Sequence, residues 1–173
     1  MASLPPGECC TTGIKHEGTP KGTIEKIENS QLSLSLPFTF YFSSGKYSWI
    51  FPVPTYFARP ASPNGNAILI FSDVFGPVYQ NIQLMADDFA AQGYLTVVPD
   101  LFNGDPLSPE PFYSGKVDLP EWLTRHDTTT VDPIADAVIG HLRNALMVKN
   151  LAGVGYCFGG KVGAWISDIL HFS

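Results

Sequence analysis

The stretch that most constrains the fold of this chain is LAGVGYCFGGKVGAW, from Leu151 to Trp165. A short apolar run comes first, then Gly155, Cys157 and Gly159 at alternate positions, and then a helical pattern of apolar residues. This order predicts a strand, a sharp turn and a helix, with the thiol of Cys157 at the turn. Glycine is required on both sides because backbone segments crowd together in so tight a turn.

The same layout presents the reactive residue in the nucleophile elbow, G-x-S-x-G, and cysteine stands here in place of the usual serine. The N-terminus of the following helix would favour the thiolate of Cys157 over the thiol. A dinucleotide-binding fingerprint fails because Phe158 occupies the position of its third glycine, and a phosphate-binding loop fails because Val162 follows Lys161. A cysteine that packs in the turn as a small hydrophobe remains the alternative.

The composition indicates one globular domain that acts on a small molecule or a protein. Of the 173 residues 45% are hydrophobic and 15% are charged, which is typical of a globular chain. The net charge is -6 without any basic run, so we expect neither a nucleic acid nor a membrane as partner. Residues 1–10 lack the features of a secretory signal, which predicts a cytoplasmic protein. The cysteines form neither a disulfide framework nor a zinc motif, and no cofactor or metal is predicted.

The N-terminal third differs in composition from the rest. Residues 1–22 are predicted to form an irregular arm, and Thr23 to Ile27 a strand. Asn29 to Ala58 contains one charge, Lys46, and apolar residues alternate with mostly polar ones from Leu32 to Phe42, which is the period of a half-buried strand. We predict that residues 29–54 are an atypical insert that does not belong to the ancestral domain. An N-terminal antiparallel hairpin is the alternative.

From Pro60 onward strands and helices alternate. Continuous apolar runs predict buried parallel strands at residues 67–71, 94–98 and 151–155. Helical spacing predicts helices around residues 82–90, from Pro133 to Met147, and after Cys157. Residues 102–120 contain four prolines and are predicted to be an irregular surface excursion. The order predicts a single domain with a doubly wound α/β sheet.

Four sequence blocks in this order resemble the dienelactone hydrolase family of the α/β-hydrolase superfold. The blocks are Ala67–Gly76, Gln92–Tyr94, Val98–Phe102 and Gly155–Gly160, and the segments Pro6–Cys10 and His16–Gly18 look like an N-terminal arm found in part of that family. The resemblance covers about residues 5–27 and 55–169. It implies a three-layer α/β-hydrolase-like sheet with parallel core strands, incomplete at the C-terminus.

By this resemblance Cys157 is the nucleophile of a cysteine-histidine-aspartate triad that cleaves a small ester or lactone. The oxyanion hole would come from the backbone N–H groups of Val74 and Phe158. Asp73 stands where the family usually has a glutamate that contacts the resting cysteine, and a loop aspartate that caps nearby N–H groups is the alternative. Asn103 follows the Pro-Asp-Leu block where members that bind an anionic dienelactone use an arginine, so the substrate is not defined further.

The acid and the histidine of the triad follow the nucleophile in this superfold, and only Asp168 and His171 do so here. Asp168 lies roughly 16 Å along the helix that leaves the turn, at about 1.5 Å per residue, which is too far to reach the thiol. The remaining histidines, His16, His126 and His141, are predicted as surface or loop residues.

We therefore expect a cysteine hydrolase that is truncated and impaired in this form. Two alternatives remain at this point. One is a catalytically dead fragment. The other is a thiol protein in which Cys157 senses oxidants and forms a disulfide with Cys9 or Cys10.

Overall fold

The computed structural model describes residues 15–28 and 52–162. Its elements in chain order are β1 (Thr23–Ile27), β2 (Val53–Ala58), β3 (Asn66–Phe71), α1 (Gln80–Ala91), β4 (Leu95–Pro99), α2 (Pro109–Tyr113), α3 (Leu119–Arg125), α4 (Thr128–Asn144) and β5 (Asn150–Gly155). A further helix, α5, begins at Phe158 and is described to residue 162. Within these ranges no helix has both the length and the apolar character needed to cross a membrane.

The strands form one five-stranded sheet in the order β1-β2-β4-β3-β5. Strand β3 pairs in parallel with β4 and with β5, whereas β2 is antiparallel to both β1 and β4. The three predicted parallel strands and the α/β class are thus confirmed. The carboxyl ends of β3, β4 and β5 lie at one edge of the sheet, which is where open α/β sheets bind ligands.

Each face of the sheet is covered by its own apolar cluster. Along β3, Leu69 and Phe71 pack in the cluster that includes α4, and Ile68 and Ile70 pack in the cluster that includes α1. Side chains alternate between faces along a strand, so a continuous apolar run such as Ala67–Phe71 is needed when both faces are covered. The result is the predicted three-layer arrangement.

Helix α4 begins and ends earlier than predicted. The expected start at Pro133 is wrong because the Asp127 side chain caps the helix, accepting a hydrogen bond from the backbone N–H of Thr129 at 3.0 Å. Pro133 lies inside the helix instead of in its first turn. The helix ends at Asn144, and Met147 has a φ of 52°, which is incompatible with its continuation.

The predicted irregular excursion at residues 102–120 contains α2 and the start of α3. Pro109 and Pro120 lie in the first turns of these helices, where the missing N–H of proline costs nothing. The Asp118 side chain caps α3 by accepting a hydrogen bond from the N–H of Glu121 at 3.0 Å. The prediction of an irregular segment is wrong at α2 and α3, because a proline in the first turn does not interrupt a helix.

Residues 15–22 form neither helix nor strand and lie along α1. Gln80 Nε2 donates to the carbonyl oxygens of His16 and Gly18, at 3.0 and 2.9 Å. The backbone N–H of Lys21 donates to Asp87 Oδ2 at 2.6 Å. Polar side chains of α1 therefore replace the regular backbone pairing that this segment lacks.

Most of the proposed insert, residues 29–54, lies outside the described residues. Its last two residues, Val53 and Pro54, belong to β2, and Val53 is 2% exposed. In the register of the β1–β2 pair Ile27 faces Val53. The two chain ends that flank residues 28–52 therefore lie side by side.

We expect a variant in which an Asn-Gly turn replaces residues 29–51 to keep a cooperatively folded sheet, because a short hairpin turn can join two adjacent antiparallel strands. A matched deletion of residues 29–54 also removes Val53 from the core and the Pro54 carbonyl that accepts from Asp100, and should lower the free energy of unfolding by at least ~2 kcal/mol more. Urea unfolding followed by circular dichroism measures both. Loss of cooperative unfolding in the first variant would show that the segment belongs to the domain.

Candidate active site

Cys157 lies at the turn between β5 and α5, as predicted from the glycine pattern. Its φ is 51°, in the left-handed region that side-chain-bearing residues rarely adopt, and its side chain is exposed. The predicted strained conformation is thus confirmed. Such strain persists only where the surrounding structure holds the residue in place.

The two glycines that flank Cys157 are required by close backbone contacts. A Cβ atom at Gly155 would lie 2.3 Å from the carbonyl oxygen of Gly159, and one at Gly159 would lie 2.0 Å from that of Phe71. The N–H of Gly159 donates to the Ser72 carbonyl at 3.0 Å, and the N–H of Tyr156 to the Phe71 carbonyl at 3.0 Å. The turn is therefore fixed directly against the carboxyl end of β3.

The loop after β3 lies beside this turn and contains Asp73. Its Oδ1 accepts a hydrogen bond from the N–H of Phe75 at 2.9 Å, which is the capping geometry considered as the alternative for Asp73. Burial raises the pKa of the Asp73 carboxyl, and the hydrogen bond from Phe75 opposes that rise. The Val74 carbonyl accepts from the N–H of Leu107 at 2.8 Å, so the loop is also fixed from its far side. A contact between Asp73 and the resting Cys157 stays a prediction.

Val74 and Phe158 occupy the positions expected of oxyanion donors. Phe158 is the first residue of α5, and Val74 lies in the loop after β3. Within residues 15–28 and 52–162 neither backbone N–H donates to a backbone carbonyl. Both groups therefore have the capacity to donate to a bound oxygen, and their role stays a prediction.

Two tyrosines near this turn were missed by the sequence analysis. Tyr79 and Tyr113 flank the Phe75 ring, with centroid distances of 4.9 and 5.7 Å. Burial raises the pKa of Tyr113, and the nearby Tyr79, Asp73 and Cys157 raise it further. The Cys157 thiol is thus one of the groups that raise the pKa of Tyr113. Nothing in the sequence marks this tyrosine, because it lies in the proline-rich excursion far from the glycine pattern.

His126 lies in the loop between α3 and α4, as one of the two predicted positions had it, but it is buried and only 6% exposed. Its Nε2 lies 3.0 Å from Asp105 Oδ2, and its ring packs on Trp122 at a centroid distance of 4.3 Å. Phe158 packs on the same indole at 5.8 Å. His126 thus belongs to the packed layer beneath the turn.

The other ionisable residues considered for the site are separate from it or undescribed. His16 is exposed on the arm, and His141 lies half-buried in the last turn of α4. Burial lowers the pKa of His141. The predictions for Asp168 and His171, and for Cys9 and Cys10, lie outside the described residues.

Comparison with known proteins gives a family match and several sequence relatives. Residues 53–168 match the sequence model of the dienelactone hydrolase family. Hydrolase pyvD from Aspergillus violaceofuscus is 37% identical over 161 residues, which are 93% of this chain and 56% of that protein. Hydrolase tropI from Talaromyces stipitatus is 33% identical, covering 93% and 57%, and Dienlactone hydrolase 1 from Gibberella moniliformis is 32% identical, covering 94% and 56%. The chain thus spans a little more than half the length of these relatives.

Proposed function

Because this chain belongs to the dienelactone hydrolase family, we propose that it attacks the carbonyl carbon of a small ester or lactone with the thiolate of Cys157. The observation that carries the proposal is the conformation of Cys157, an exposed residue at positive φ between a parallel strand and a helix. Holding a side chain in this conformation costs about 1–3 kcal/mol, which is typical of functional sites. This conformation, combined with an exposed position between a parallel strand and a helix, favours a reactive cysteine over one that serves only to pack.

In the proposed first step the Cys157 Sγ forms a bond to the carbonyl carbon and the ester C–O bond breaks. The alkoxide leaves with the bonding electrons, and a thioester on Cys157 remains. The negative charge that develops on the carbonyl oxygen would be stabilised by the N–H groups of Val74 and Phe158, which donate to no backbone carbonyl in the described ranges. The N-terminus of α5 would keep the thiol ionised.

We infer that the second step, hydrolysis of the thioester, is impaired in this chain. Water must be activated by a general base within hydrogen-bond reach of the acyl carbon. Within the described ranges, His126 is buried against Asp105, His141 lies in the last turn of α4, and His16 lies on the arm. We infer from these surroundings that none of the three serves as the base for water at Cys157. The cytoplasmic location also stays a prediction from the sequence.

The test is the reaction of the full 173-residue chain with p-nitrophenyl acetate. We expect about one nitrophenolate per chain in a single burst, and an acetyl group on the peptide that contains Cys157. The Cys157→Ala variant should show neither, even though Cys9 and Cys10 remain available as control thiols. Sustained turnover that depends on Cys157 would contradict the inferred impairment. A burst of unchanged size in Cys157→Ala would overturn the proposed nucleophile.

A further inference from the structure

Four aromatic residues pack together around the loop after β3, the loop that is hydrogen-bonded to the turn of Cys157. They are Phe75, Tyr79, Phe112 and Tyr113, here called the aromatic wall. Phe75 lies at its centre, with ring centroids 4.9 Å from Tyr79, 5.3 Å from Phe112 and 5.7 Å from Tyr113. Phe75 is 5% exposed, so it forms the base of the wall.

Tyr113 is the part of the wall that reaches solvent. It is 42% exposed and lies outside both core clusters, although contacts with Phe75 and Phe112 fix its ring. An exposed aromatic ring held in place by others loses little conformational entropy when a ligand stacks against it. Tyr113 also interacts electrostatically with both Asp73 and Cys157. The geometric link to the thiol is the loop after β3, because Tyr113 packs on Phe75 of this loop and the Ser72 carbonyl accepts from the N–H of Gly159, two residues after Cys157.

The surroundings of the aromatic wall disfavour an anionic ligand. Asp73 is the carboxylate next to the wall, and the group that lowers its pKa is the backbone N–H of Phe75. Among the described residues no lysine or arginine forms an ion pair with Asp73. A carboxylate carried by the substrate would thus lack a cationic partner at the wall and would lie against the negative faces of the aromatic rings.

We propose that the acyl group transferred to Cys157 carries an uncharged aromatic or conjugated ring, and that this ring stacks against Tyr79 and Tyr113. The inference rests on the proposed function, since it assigns the substrate class of the same site. Stacking of this kind contributes about 0.5–1.5 kcal/mol beyond the burial of area, which corresponds to a preference of up to about tenfold in rate.

The test compares acylation of the full chain by three p-nitrophenyl esters with the same leaving group. The acyl groups are benzoyl, cyclohexanecarbonyl and 4-carboxybenzoyl, and each rate is divided by the rate with N-acetylcysteine to remove intrinsic reactivity. We expect benzoyl to exceed each of the other two by about fivefold to tenfold. Equal corrected rates, or a preference for the 4-carboxybenzoyl ester, would overturn the inference.

Variants of Tyr113 test whether the wall is responsible. Tyr113→Leu should remove most of the preference for benzoyl, whereas Tyr113→Phe should keep it because the ring remains. Tyr94→Leu is the matched control and should keep the preference. Tyr94 directly precedes β4 and therefore lies at the amino end of the parallel strands, whereas Cys157 lies at their carboxyl end. An equal loss for all three esters in Tyr113→Leu would overturn the inference. Failure of all three esters and of p-nitrophenyl acetate to acylate Cys157 would refute the proposed function instead.

Discussion

A chain that carries Gly159→Ala is expected to lose about 4 kcal/mol of folding free energy, a large part of the total for a domain of this size. The new Cβ would lie 2.0 Å from the carbonyl oxygen of Phe71 and 2.4 Å from its carbonyl carbon. Both are backbone atoms of a buried strand, so relief requires α5 to move away from β3. That movement also breaks the hydrogen bond from Gly159 to Ser72. Urea unfolding gives the free energy directly.

Gly160→Ala is the matched control, one residue further along the same helix. The nearest atom to a Cβ at Gly160 is the Gly155 carbonyl oxygen at 3.9 Å, an ordinary contact. Alanine is the better helix former by about 1 kcal/mol, so this variant should be slightly more stable than the original chain. Equal stability of Gly159→Ala and Gly160→Ala would mean that the turn is not packed against β3 as described.

The second large effect is the loss of acylation when the thiol of Cys157 is removed. Two different substitutions of Cys157 separate this loss of reactivity from the change in stability caused by backbone strain. Cys157→Gly and Cys157→Ala should both lose the nitrophenolate burst completely. Cys157→Gly should nevertheless be more stable than Cys157→Ala by about 1 kcal/mol, because glycine adopts a φ of 51° without the clash of a Cβ atom. Comparing these two variants with each other cancels the loss of the sulfur contacts. A more stable Cys157→Ala would show that the positive φ carries no strain.

The centre of the sheet was predictable from the sequence because β3 and β4 are buried along almost their whole length. The run Ala67–Phe71 contains no polar residue, and such a run has few folded solutions other than a central strand. The first and last residues of the helices were harder to predict from the sequence, because they depend on single capping contacts. Asp127 and Asp118 cap α4 and α3, but the nearby prolines gave the stronger and misleading signal.

The turn that holds Cys157 was predictable for a related reason. The close backbone contacts that require glycine occur at Gly155 and Gly159, two residues on either side of Cys157. The requirement therefore appears in the sequence as a short, regular glycine pattern. Tyr113 reaches the site through the packing of α2 on Phe75, a contact between distant segments that leaves no local pattern. The burial of His126 likewise depends on Trp122 and Asp105 together, which a single sequence does not connect.

The position of β2 in the sheet has a consequence for synthesis on the ribosome. Strand β2 lies between β1 and β4, but β3 and α1 separate β2 from β4 along the chain. As the polypeptide emerges, β1 and β2 can pair at once, while the other edge of β2 has no native partner until β4 has been translated. During that interval the apolar residues of Val53–Ala58 sit on an open strand edge, which is a template for pairing with neighbouring nascent chains. Yield in a host cell should therefore depend on chaperone supply and on the speed of elongation between residues 59 and 99.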